Sequence, residues 1–129
     1  CFQNKKHERI VMTYSWHFPI RAISKDNEKI FNRQGRPFLS KKFKDFEETL
    51  RMYYIQKPLK ITKPLESDLE VNIWVYFKNK KHSDLMNLPK SICDAFNGLI
   101  WKDDRQIKNV NLAVYYGNSD SIELEVREL

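Results

Sequence analysis

Residues 69–77, LEVNIWVYF, alternate without a break: Leu69, Val71, Ile73, Val75 and Phe77 fall on one side of an extended chain, and Glu70, Asn72, Trp74 and Tyr76 on the other. A two-residue period held this long can bury its apolar set only as a strand with one face covered. The segment therefore demands a sheet, and the sheet demands a layer on one side. Met12, Tyr14, Trp16 and Phe18 alternate in the same way within residues 10–18, and two further alternating segments, 110–116 and 122–126, are joined by the turn-like GNSDS. The last two are expected to form an antiparallel hairpin.

The covering layer is also legible. Ser40 suits a helix N-cap, and Phe43, Phe46, Leu50 and Tyr53 follow at spacings of three and four on a helix that must end before Pro58. A second helix is expected over about residues 86–97, where Leu85, Leu88, Ile92, Ala95 or Phe96, and Leu99 recur at helical spacing. Pro89 is tolerated there because it lies in the first turn, and Gly98 suits the C-terminal cap. Residues 19–39 keep no period and read as a long loop with a small hairpin over 30–39. The order predicts an α+β two-layer sandwich, a mixed sheet of about four strands with two helices on one face.

The 129 residues suffice for a single domain, with 1–9 read as an extension outside the fold. Cys1 and Cys93 are the only cysteines, which supports neither a disulfide framework nor a zinc site. No apolar run reaches the length of a membrane span and no secretory signal is visible, so the expectation is a soluble, cytoplasmic protein without a membrane partner. The net charge of +6 favours a polyanion. Eight basic residues lie between Arg21 and Lys44 against Asp26 and Glu28, and a second run, Lys78, Lys80, Lys81 and His82, leads into an acid. Two basic runs bracketing acids point to phosphate contacts.

Those acids flank the second helix in SDLMNLPKSICDAFNGLIWKDD, residues 83–104. Taken singly, Asp84 reads as an N-cap or first-turn acid, and Asp103 and Asp104 as solvated turn acids. Taken together, a carboxylate cluster in a basic chain suits a magnesium site for phosphodiester hydrolysis, provided that the chain after Gly98 doubles back. Lys90 and Asp94, four residues apart, read either as a surface ion pair or as a lysine that reaches a phosphate. His82 reads as a loop histidine and Trp101 as a packing residue.

The stretch DLMNLPKSICDAFNGLIWKDDRQI closely resembles the signature of RusA-type Holliday junction resolvases through Asp84, Leu85, Asn87, Leu88, Lys90, Asp94, Ala95, Gly98, Trp101, Asp103 and Asp104. Asn27 and NRQGRPFLSKKFKDF are similar to the family's asparagine, basic loop and serine-capped helix. The resemblance implies a homodimeric, Mg²⁺-dependent endonuclease of bacterial or phage origin, with Mn²⁺ as a substitute, that nicks four-way DNA junctions in pairs. It implies that Asp84 and Asp104, with Asp103 beside them, bind metal and that Lys90 serves catalysis. Asn27, Arg33, Arg36, Lys41, Lys42, Lys80 and Lys81 are the implied DNA contacts. In one place the chain departs from the pattern: Met86 stands where the family has a second aspartate. A thioether is a poor magnesium ligand, so a junction-binding protein with impaired cleavage is the alternative expectation, as is recruitment of Asp103 or Asp94.

Overall fold

The computed structural model describes residues 12–24, 29–31, 37–39, 41–82 and 85–129, with only the backbone of 29–31 and 37–39. Along the chain these form β1 (Thr13–Phe18), β2 (Lys29–Phe31), β3 (Pro37–Leu39), α1 (Lys41–Ile55), β4 (Leu69–Phe77), α2 (Leu88–Phe96), a 3₁₀ turn (Asp104–Gln106), β5 (Ile107–Tyr116) and β6 (Ser121–Glu128). The sheet has the order β1-β6-β4-β5, and β2 and β3 form a separate small hairpin within the long loop. This is the expected α+β sandwich, with a mixed four-stranded sheet under two helices.

β4 buries all five of its apolar residues on one side, as its period requires. Trp16 and Phe18 of β1 and Ile122, Leu124 and Val126 of β6 complete that face. α1 and α2 cover it. On α1 the buried row is Phe43, Phe46, Leu50 and Tyr54, so the last inward tyrosine is the one four residues after Leu50 rather than Tyr53. Tyr54 meets Trp16 and Phe96 edge-on at 5.4 and 5.8 Å, while its hydroxyl accepts the Ile61 N–H at 2.7 Å. Each such ring removed from water contributes about 1.5–3 kcal/mol. Arg51 joins the helices by donating Nε–H to the Ala95 carbonyl at 2.8 Å.

The expected hairpin between the last two strands does not form. β5 runs parallel to β4, and β6 pairs antiparallel with β4 and with β1, so β4 separates β5 from β6. A strand with one fully buried face gains most from neighbours on both edges. The α2 crossover delivers β5 parallel to one edge, as a parallel pair requires. Residues 117–120 then carry the chain over the end of β4, where the Gly117 N–H donates to the Phe77 carbonyl at 2.9 Å. Two strand spacings, about 9.6 Å, are within the reach of that turn.

A candidate active-site cleft between α2 and the edge strand

The first half of the 83–104 stretch is shaped by α2. Its N-cap is Asn87, without a side-chain capping bond, and Pro89 sits in the first turn. The cap position therefore belongs to a residue three beyond Asp84, which itself lies outside the described residues together with Asn27, Arg33, Arg36 and Ser40.

The second half depends on one glycine. Gly98 has φ +85°, the single positive φ among the described residues, and its N–H donates to the Trp101 carbonyl at 2.7 Å. The chain doubles back, as a shared site requires. Leu65 then brackets the returning segment, donating to Ile100 O at 2.8 Å and accepting from Lys102 N at 3.1 Å. Trp101 is wholly buried, edge-on to Phe96 at 6.4 Å, and its indole N–H donates to Asp104 Oδ1 at 2.6 Å.

Asp103 and Asp104 are neighbours with different occupations. Asp103 caps the 3₁₀ turn: its Oδ1 accepts the Arg105 N–H at 2.9 Å, its Oδ2 pairs with the Arg105 guanidinium at 3.2 Å, and its own N–H donates to Gln106 at 2.8 Å. The backbone and side-chain bonds from Arg105 hold its carboxyl below the ordinary range. Asp104 faces α2. Burial pushes its carboxyl up; the Trp101 bond pulls it down, and a hydrogen bond and charge repulsion from Asp94 push it up again.

Asp104, Asp94 and Lys90 line one cleft of about 320 Å³ with Pro89, Cys93, Ile107 and Val110. Lys90 and Asp94 share the face of α2 that looks across to β5, as residues four apart on a helix must. Cys93 is buried, and burial followed by the charges of Asp104 and Asp94 pushes its thiol up to about 12. It stays protonated and offers no thiolate. A larger depression of about 460 Å³ lies on the open face of the sheet beside Trp74, Tyr76, Glu123 and Glu125, remote from these acids. Its carboxylates would repel a phosphate.

Other residues singled out by sequence are not in the cleft. Lys41 and Lys42 open α1 with exposed side chains, and Lys80 and Lys81 are exposed on the loop after β4. His82, next on that loop, stacks on Phe77 at 4.4 Å and on Tyr116 at 5.6 Å, at the far end of β4 and β5. Because the two strands are parallel, that end lies about 26 Å from the end where β5 begins. Met86 is 82% exposed just before α2. Among the described residues, no group of three or more His, Cys, Asp or Glu is gathered as a metal cage. The sequence reading of Trp101 as a packing residue misses its bond to Asp104; a side chain three residues away across an irregular bend leaves no periodic signal.

The model of the endodeoxyribonuclease RusA family matches residues 19–127, from just after β1 to the next-to-last residue of β6. Among curated proteins no sequence matches the chain. No helix among the described residues is long and apolar enough to cross a membrane.

Proposed function

The chain belongs to the RusA family of Holliday junction resolving endodeoxyribonucleases, and on that premise we propose that it is a homodimeric, divalent-metal-dependent nuclease that cuts four-way DNA junctions by paired phosphodiester hydrolysis. The observation that carries the reading is the Asp104 carboxylate, held by Trp101 against Asp94 in a cleft that Lys90 also lines.

The donors fit a small, hard cation. Asp104, its carboxyl raised by burial and by its neighbour Asp94, forms with Asp94 a concentration of negative charge when both ionise, which Mg²⁺ or Mn²⁺ would relieve. Asp104 and Asp84 would hold the ion, with Asp94 in place of the carboxylate that Met86 lacks. Asp103, engaged by Arg105 on both oxygens, shapes the turn instead. When bound, the ion supplies Lewis-acid charge at the phosphate and lowers the pKa of attacking water. The residues do the rest. Lys90 neutralises a phosphate oxygen at the mouth of the cleft, Trp101 fixes the Asp104 rotamer, and the protonated Cys93 leaves the carboxylates as the ligands. Lys41, Lys42, Lys80 and Lys81 bind the junction arms, with Asn27, Arg33 and Arg36 of the long loop. Two related cuts need two related sites, which a two-fold dimer provides.

A synthetic four-way junction incubated with and without Mg²⁺ tests the proposal: the expected result is symmetrical nicking with the metal and none without it. An intact junction at every Mg²⁺ and Mn²⁺ concentration overturns it. One observation favours a second reading, a junction-binding protein with impaired cleavage: an exposed thioether stands where the family signature has an aspartate. That reading expects salt-sensitive junction binding indifferent to Asp104→Asn, and cutting that appears only in Met86→Asp.

A further inference from the structure

Arg21 opens the basic segment that sequence assigns to DNA, yet its guanidinium is turned into the protein. Nη1 donates to Asp120 Oδ1 at 2.8 Å, Nη2 donates to Asn79 Oδ1 at 3.1 Å and to the Lys81 carbonyl at 2.5 Å, and the group lies 4.9 Å from the centre of the Phe77 ring. Its two main acceptors are themselves shared. Asp120 Oδ1 also accepts the Lys78 N–H at 2.9 Å, and Asn79 Oδ1 accepts the Lys81 N–H at 2.9 Å. One planar cation thus joins the segment after β1, the loop after β4 and the turn between β5 and β6. The pair is partly desolvated, with Arg21 29% and Asp120 17% exposed, so solvent screens it less than an ordinary surface ion pair.

The loop it holds, residues 78–82, carries Lys78, Lys80 and Lys81 on exposed side chains and leads toward Asp84. We infer that Arg21 is a positioning residue, which contacts no phosphate itself but fixes this loop so that Lys80 and Lys81 meet the junction backbone as a preformed pair. The inference rests on the reading of the chain as a junction-binding protein. Lysine cannot substitute, because one ammonium lacks the planar fork that reaches three acceptors and stacks on a ring.

Arg21→Lys and Asp120→Asn in the full chain test it with two measurements. Without DNA, amide hydrogen exchange at Lys78 and Lys81 is expected to rise about tenfold in both variants while β4 and β6 stay protected. With a four-way junction, both variants are expected to bind about tenfold more weakly and to flatten the salt dependence by about one to two contacts, those of the two lysines. Asp120→Asn is the sharper case, since it makes the chain more positive and on charge alone should bind DNA more tightly. In a Lys80→Ala, Lys81→Ala background, Arg21→Lys is expected to add nothing further. The inference is overturned if Arg21→Lys keeps wild-type affinity while Asp120→Asn tightens binding, or if the loop loses protection with no change in binding. A wild-type chain that ignores junctions overturns the functional reading and with it the presenting role, while the exchange measurement still decides whether Arg21 holds the loop.

Discussion

Trp101→Phe isolates the bond that sets Asp104. Phenylalanine keeps an aromatic slab against Phe96 but removes the indole N–H that donates to Asp104 Oδ1 at 2.6 Å. A hydrogen bond to a charged group contributes about 1.5–3 kcal/mol, and the missing ring atoms at a fully buried site add about 1 kcal/mol of cavity cost. A loss of about 3 kcal/mol corresponds to a Tm lower by roughly 10 °C for a domain of this size. The pH dependence separates the bond from the packing. The Asp104 carboxyl is raised by burial and partly restored by Trp101, so the variant raises it further. A carboxyl raised in the folded state favours folding below its unfolded pKa and forfeits that contribution as pH rises through the folded value. The Tm difference between wild type and variant should therefore be smallest in acid and largest at neutral pH. The acid limb of Mg²⁺-dependent nicking should move to higher pH in parallel. Metal-free thermal unfolding and junction nicking, each across a pH series, make the measurement. A Tm loss that is the same from acid to neutral pH, with an unmoved acid limb, would show that Trp101 only fills space.

Asp94→Asn has the opposite sign: it removes a group that raises the Asp104 carboxyl, so the metal-free protein should gain stability at neutral pH and the acid limb should move down, while a higher Mg²⁺ concentration is needed for half-maximal nicking. Met86→Asp replaces a side chain that is 82% exposed, so folding should be little affected. If it tightens Mg²⁺ about tenfold, saturating metal stabilises the variant by about 1.4 kcal/mol more than wild type, a further rise of roughly 5 °C in a thermal shift assay; an equal shift in both proteins refutes a role for that position at the metal. Gly98→Ala meets no atom within 4 Å but forces a side chain into φ +85°, and should cost about 1–2 kcal/mol of stability in denaturant unfolding. Nicking below the transition should survive it.

What could be read from sequence was what a local period records. The alternation of β4 and the three-four spacing of α1 each follow from one face meeting one core, and both are observed down to a single shift from Tyr53 to Tyr54. Pairing is a different matter. Nothing in 110–126 says whether two strands joined by a short turn pair with each other or straddle a third, because that is decided by what β4 gains from a second neighbour. The same limit applies to the site. Asp103 and Asp104 are indistinguishable in the string, and they part company only because Gly98 reverses the chain and a 3₁₀ turn aims one carboxylate at Arg105 and the other at α2. Arg21 looked like any other cation in a basic run, since its partner Asp120 lies 99 residues away.

The charge that sequence gives as a total is unevenly spread among the described residues, and this bears on how a junction would reach the proposed site. Pairing between β4 and β6 puts Glu70 opposite Arg127, Asn72 opposite Glu125 and Trp74 opposite Glu123 on the open face of the sheet. Two of the carboxylates there are tied into a ladder of neutral amides: Asn72 donates to Glu70 and to Glu125, each at 3.0 Å, and Asn109 donates to Glu70 at 3.2 Å, while Glu123 lies 3.6 Å from the His17 ring. Their charge is held in place rather than cancelled. With three glutamates against one arginine, that face opposes the sign of a chain whose net charge is +6. Among the described residues, Lys41, Lys42, Lys80, Lys81 and Lys90 are exposed away from that face, so the open sheet is the side that opposes a polyanion. The cleft of Asp94 and Asp104 sits at the β5 edge, between α2 and β5. On the proposed reading, a carboxylate pair would repel DNA if it stood alone; beside Lys90 it would receive a backbone once a divalent cation reversed its local charge.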